Sequence, residues 1–312
     1  MSVILSNSSP LLELSRGHES AVLTCKFLNS GATAVSSGLD AHLCVWDLTN
    51  SRNFVIDHLF RQNPAITSLG TLGGPLVAAG ASSSQIALVD IETGQKLRSY
   101  SGHTKAVNQI HTISNDTFVS VSDDGSAKLW DLHQKKPVWE ASTPYPLFTA
   151  TIASAHQDNY TLYISGLEPT IRAYDIRQTS GQELFSWTSD HADSITSIDV
   201  NSTHKMCSLA FDNEIHIQDA KQRPMRDSRF LGIIDASSND NTNKFLVRNR
   251  FTNQERHVIS GGSLFDVTTK EHLVDFLSVL KTRAAVIDTD YDQESNKVLM
   301  SSENGNLYVY QL

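Results

Sequence analysis

Cysteine is nearly absent from this chain: Cys25, Cys44 and Cys207 are the only three in 312 residues, and none stands in a CxxC spacing. That excludes a disulfide framework and a thiolate metal centre, and it fits a reducing compartment. No apolar run is long enough to cross a membrane. The opening residues, MSVILSNSSPLLELS, lack a basic stretch followed by a sustained apolar one, so no secretory signal is expected. Positive charge is scarce as well. Lys and Arg total 25 against 34 Asp and Glu, a net charge of −9, where a general nucleic-acid coat would be basic. The glycines form neither a GxGxxG run nor a P-loop, and His103 and His111 have no third ligand near them in sequence. No cofactor, metal or small-molecule substrate is expected.

What the chain does have is a recurring ending. Trp46-Asp47 and Trp130-Asp131 each close a short hydrophobic run, and each has a Gly-His upstream, at Gly17-His18 and Gly102-His103. Weaker copies end at Val89-Asp90, Tyr174-Asp175, Gln218-Asp219, Phe265-Asp266 and Tyr310-Gln311. The copies therefore end near 47, 90, 131, 175, 219, 266 and 311, in steps of 43, 41, 44, 44, 47 and 45 residues. This is the period of β-propeller blades. Inside a copy, short β-branched runs alternate with turn formers: AVLTCKF, Asn29-Ser30-Gly31, ATAVSS, Gly38-Leu39-Asp40, HLCVWDL. The expected fold is all-β, a seven-bladed propeller filling residues 1–312 as a single domain, with six or eight blades as alternatives. The last copy stops at a third-strand position, so LLELS (11–15) is expected to supply its missing strand and close the ring.

Polar residues keep their places within the copies. Asp40, Asp124 and Asp212 lie six before Trp46, Trp130 and Gln218, with Ser36, Ser120 and Ser208 four residues earlier still. His18, His103 and His191 open the same three copies. The spacing predicts a buried chain in which aspartate holds histidine, histidine reaches serine, and serine reaches the indole nitrogen. An Asp–His–Ser set also invites a hydrolase reading. An active site does not need three copies, so the expectation is structural bracing and no catalytic residue.

The sixth copy is irregular. Two strand assignments are open: FLGIIDA and KFLVRNRF as its first strands, or FLVRNRF first with a shortened hairpin after it. Between residues 220 and 256 stand eight basic residues and four acidic ones, reversing the sign of the whole chain. Lys221, Arg223, Arg226, Arg229, Arg248 and Arg250 are candidates for contact with an acidic partner or a phosphate backbone, against the alternative of a solvated face. No aromatic interleaving supports base stacking there.

Several segments, GHESAVLTCKF (17–27), SGHTKAVNQI (101–110), SDDGSAKLWDL (122–132), IRAYDIRQ (171–178) and HADSITSIDV (191–200), resemble the WD-repeat (WD40) family. Within it they are similar to the 40 kDa WD-repeat proteins of the U5 small nuclear ribonucleoprotein, from about residue 17 to the end and least across 221–270. The resemblance implies a non-catalytic scaffold in the nucleus, acting in pre-mRNA splicing beside the large U5 scaffold protein and the U5 helicase. Contact with small nuclear RNA or pre-mRNA would be indirect or through the backbone alone. It also implies that His18, Asp40 and Trp46, and His103, Asp124 and Trp130, are blade-bracing positions, while Gln218 departs from the family's tryptophan. Two other readings stay open: a substrate receptor of a cullin-type ubiquitin ligase, since Tyr174-Asp175-Ile176-Arg177 approximates a WD-x-R tail, and a scaffold of another nuclear complex, in chromatin or mRNA export.

Overall fold

Runs of five to seven β-branched and aromatic residues, separated by Gly, Asn, Asp and Ser, cannot bury themselves singly. They pair into hairpins, and the hairpins stack. A computed structural model describes residues 9–28, 30–50, 52–152, 160–220, 230–236, 245–252, 256–276, 278 and 284–312. After β1 (Leu12–Leu14), the first sheet holds β2 (Val22–Leu28), β3 (Thr33–Gly38), β4 (Leu43–Asp47) and β5 (Arg52–Ile56). The second holds β6 (Ile66–Thr71), β7 (Leu76–Ala81), β8 (Ile86–Asp90) and β9 (Gln95–Tyr100). The third holds β10 (Val107–Thr112), β11 (Thr117–Ser122), β12 (Ser126–Asp131) and β13 (Trp139–Ser142). The fourth holds β14 (Leu147–Ile152), β15 (Thr161–Gly166), β16 (Thr170–Asp175) and β17 (Glu183–Thr188). The fifth holds β18 (Ile195–Val200), β19 (Lys205–Ala210), β20 (Glu214–Asp219) and β21 (Phe230–Asp235). The sixth holds β22 (Asn249–Thr252), β23 (His257–Ser260), β24 (Ser263–Asp266) and β25 (His272–Asp275). The seventh holds β26 (Val286–Asp292), β27 (Lys297–Ser302) and β28 (Leu307–Gln311), and β1 is its fourth strand.

All seven sheets are antiparallel, and the first strand of each touches the first strand of the next, ending with β26 against β2. This is a seven-bladed propeller with its innermost strands around a central channel. Closure is as the sequence predicts: Leu12 pairs with Val309 and Leu14 with Leu307, and the Leu11 amide donates to the Val309 carbonyl at 2.7 Å. The core is not one mass. Seven apolar clusters each fill the gap between two neighbouring sheets, as where Val35, Val45 and Ile56 of the first blade meet Ile66, Leu69 and Val77 of the second. Every blade is therefore held from both sides by dispersion and apolar burial.

The recurring aspartate has a local cause. Asp47, Asp90, Asp131, Asp175 and Asp266 each accept a backbone N–H two residues on, starting the turn into the outer strand. The seventh copy ends in Gln311, and the outer position of its sheet is taken by β1. The glycine of Gly-His also has a cause. A Cβ on Gly17 would lie 2.5 Å from the Trp46 ring, and one on Gly102 would lie 3.0 Å from Trp130. In the fifth blade the tryptophan is Gln218, and Asp190 stands where the glycine would be.

One strand assignment is corrected. FLGIIDA is not the start of the sixth blade: β21 pairs with β20, with Glu214 opposite Asp235, and is the outer strand of the fifth. The sixth blade begins at β22, within FLVRNRF, which was the second of the two readings. Among the described residues no helix is long and apolar enough to cross a membrane.

Candidate functional site

Three polar chains run down the blades. His18 lies with Nδ1 at 2.9 Å from Asp40 and Nε2 at 2.7 Å from the Ser36 hydroxyl, and the Trp46 indole donates to that hydroxyl at 2.8 Å. His103 repeats this with Asp124 (3.0 Å) and Ser120 (2.7 Å), and Trp130 donates to Ser120 at 2.8 Å. His191 meets Asp212 and Ser208, both at 2.9 Å. Each aspartate also accepts the amide after its histidine, that of Glu19, Thr104 or Ala192. The loop entering a blade is thereby tied to the turn between its second and third strands. Burial alone would raise these carboxyls. The histidine hydrogen bonds and the amides outweigh it, so Asp40, Asp124 and Asp212 all lie below the usual carboxylate range. The serine hydroxyls are fully buried, and in two blades the indole occupies them.

The fifth blade compensates for its missing tryptophan in a way its sequence does not announce. Trp187, from the outer strand of the fourth blade, donates to Gln218 at 3.0 Å, and His216 stacks on His191 with ring centroids 3.6 Å apart. In the fourth blade Glu168, at the aspartate position, bonds Arg172 instead.

The second constellation is in the channel. In six blades the pairing of the first and second strands skips near the start of the first: between Val22 and Thr24, Ile66 and Ser68, Val107 and Gln109, Leu147 and Thr149, Ile195 and Ser197, and Val286 and Thr289. A bulge leaves its extra residue outside the ladder. Arg248 collects three of those orphaned carbonyls. Its guanidinium donates to Asn108 (2.7 Å), Phe148 (2.9 Å) and Thr196 (2.7 Å), in the third, fourth and fifth blades. Its own amide donates to the bulge carbonyl of Ile287 in the seventh at 2.9 Å. Burial lowers the Arg248 pKa to about 10, which still leaves it charged at neutral pH. Further along, Arg250 lies between Asp199 and Asp290, 3.7 Å from each, and Lys26 bonds Asp288 at 2.9 Å. Burial opposes the charge on Arg250, but Asp199, Asp290 and Asp288 outweigh it and raise its pKa.

Arg248 and Arg250 therefore do not belong to an outer basic patch. They sit on or beside the innermost strand of the sixth blade, where alternation turns them into the channel. Lys221, Arg223, Arg226 and Arg229, the rest of the predicted patch, lie outside the described residues. Sequence reasoning missed the channel because an inward arginine and a solvated one look alike. The available signal was positional: Lys26, His111 and Asp199 stand on other first strands and also face inward. Arg177, the arginine of the WD-x-R-like tail, is bidentate on Asp175 and lies over the Tyr160 ring at 4.5 Å, a local structural use.

A closed ring of seven four-stranded sheets, with histidine, aspartate, serine and tryptophan linked inside the blades, defines a β-propeller of the WD-repeat class. Comparison with known proteins agrees: the family "WD domain, G-beta repeat" matches residues 8–47 and 94–131 of this chain. Its relatives include the pre-mRNA-splicing factor cwf17 of Schizosaccharomyces pombe, 29% identical over 58% of this chain and 52% of that protein. The human U5 small nuclear ribonucleoprotein 40 kDa protein is 26% identical over 62% of this chain and 53% of its own length. Telomerase protein component 1 of Mus musculus is 32% identical, over 38% of this chain and 4% of that protein. The chain thus spans about half the length of the two splicing relatives it matches.

Proposed function

We propose that this propeller is a non-catalytic protein-interaction scaffold of the nucleus, a subunit of a U5-type particle acting in pre-mRNA splicing. The observation that carries the reading is the similarity to two splicing proteins, from fission yeast and human, each over more than half of the chain. The geometry supports the scaffold part. The Asp–His–Ser chains spend their polar atoms on loops and indoles, and the channel spends its cations on carbonyls and carboxylates. The residues free to vary are those of the face loops and the rim. The partners proposed are the large U5 scaffold protein and the U5 helicase, with RNA touched at most through its backbone.

Recovery of the tagged protein from nuclear extract at moderate salt, followed by identification of bound protein and RNA, tests this. U5 RNA with its scaffold and helicase is the expected outcome. Recovery of a cullin adaptor, or of a chromatin or export complex without U5 RNA, would transfer the function to that assembly.

A further inference from the structure

In the first five blades the connection into the first strand and the turn between the second and third strands emerge on the same face, the face of the His–Asp pairs. In the fourth and fifth blades those loops are residues 142–147, 166–170, 188–194 and 210–214. They hold Glu168, Asp190, Asp193, Asp212 and Glu214, and no Lys or Arg. Three of these carboxylates are engaged locally: Glu168 with Arg172, Asp212 with His191, and Glu214 with His216. Asp190 and Asp193 are exposed and make no ion pair among the described residues. The same loops carry Tyr145, 45% exposed, and Leu167, 46% exposed, with Phe211 partly exposed beside them at the equivalent turn of the fifth blade. Most other exposed large apolar residues lie on outer strands at the rim, and Tyr160, on the opposite face, is under Arg177.

These loops are also tied in place. Leu167 donates to the Pro146 carbonyl (3.0 Å), Ser189 to that of Pro169 (2.8 Å), and Thr143 to that of Gly125 (2.8 Å). Pro144, Pro146 and Pro169 further restrict the backbone. A partner meeting this surface orders little that is not already ordered. Exposed apolar anchors on a surface that also carries two carboxylates outside any ion pair, Asp190 and Asp193, fit a ligand of complementary pattern and repel phosphate.

We propose that this face of the fourth and fifth blades docks an extended segment of a partner protein in which Lys or Arg flank an apolar side chain. The proposal rests on the scaffold reading, and not on the splicing assignment. Selection of a random-peptide phage library on the full chain, with fluorescence anisotropy of the recovered peptides, tests it. The recovered sequences should carry Lys or Arg around Leu, Ile or an aromatic residue. Asp190→Lys with Asp193→Lys should weaken their binding by about tenfold or more, and Leu167→Ser should do so separately, each with wild-type melting. Tyr145→Ser is the second apolar probe should Leu167→Ser fail to fold. Glu92→Lys, on the opposite face, should leave binding unchanged. Recovery of acidic peptides or of none, or affinities indifferent to the double reversal, overturns the proposal. U5 recovery is measured independently, so a protein that selects basic peptides yet brings no U5 particle keeps this surface and loses the splicing assignment.

Discussion

At the scale of single residues, His103 is held at both ring nitrogens, by Asp124 on one side and Ser120 on the other. Removing His103 takes a partner from the buried Ser120 hydroxyl, and removing Asp124 takes the acceptor from the Thr104 and Ser126 amides and leaves Nδ1 of His103 with Ser126 alone. His103→Ala or Asp124→Ala should each cost about 1–3 kcal/mol in chemical denaturation, and unchanged stability would refute the bracing role. His111 behaves differently because the charges that act on it are those of two cations. Burial, with Arg250 and Lys26 adding to it, pushes its pKa down to about 3 from 6.5. The folded protein therefore refuses a proton that the unfolded chain accepts. Its share of stability is intact above about pH 6.5 and is lost progressively as the pH falls toward 3. The lowered aspartates act further down: their stabilisation is present above the ordinary carboxylate pKa and disappears as the pH drops through their folded values. Replacing His111 by Asn should reduce the fall in urea midpoint from about pH 6.5 down toward 3, and leave in place the shares set by His216, His257 and the lowered aspartates.

At the scale of elements, the innermost strands meet one another through side chains that serve the neighbouring backbone. Asp288 accepts the Cys25 amide, Asp290 that of Phe27, Gln109 that of Ala150, Thr149 that of Ile198 and Asp199 that of Phe251. Arg248 extends this to three carbonyls at once. Arg248→Met should destabilise the protein by about 2–4 kcal/mol in urea titration, and Arg248→Lys should recover only part of it, since a point charge cannot span three acceptors as a planar fork does. Most blades could be read in the sequence because of their turn chemistry: the aspartate that starts the outer hairpin in most of them, joined by the histidine that ties the entry loop in the first, third and fifth, and by the glycine that clears the tryptophan in the first and third. The sixth carries neither the Gly-His nor the tryptophan, and its one retained aspartate, Asp266, caps a turn beside Arg256. The strand just before it, β21, had no marker to say which blade it belonged to. What decided that was the pairing of Ile234 opposite Ile215, a contact between distant segments that no local pattern encodes.

At the scale of the whole molecule, the ring is closed by a single three-residue strand, β1, laid against β28. A variant lacking residues 1–15 should keep seven blades but expose the β28 edge, giving a lower melting temperature and concentration-dependent self-association by size-exclusion chromatography. If the truncated protein stays monomeric and melts as before, the strand is dispensable. That closure also has a consequence in time. Of the two halves of the clasp, β1 is made before the other strands of the ring and β28 after them, so β1 waits unpaired while six blades assemble behind it. Until β28 emerges, the nascent ring is an open arc with a bare edge at each end. The interval before β28 is made is therefore the one in which cellular chaperones would have most to hold.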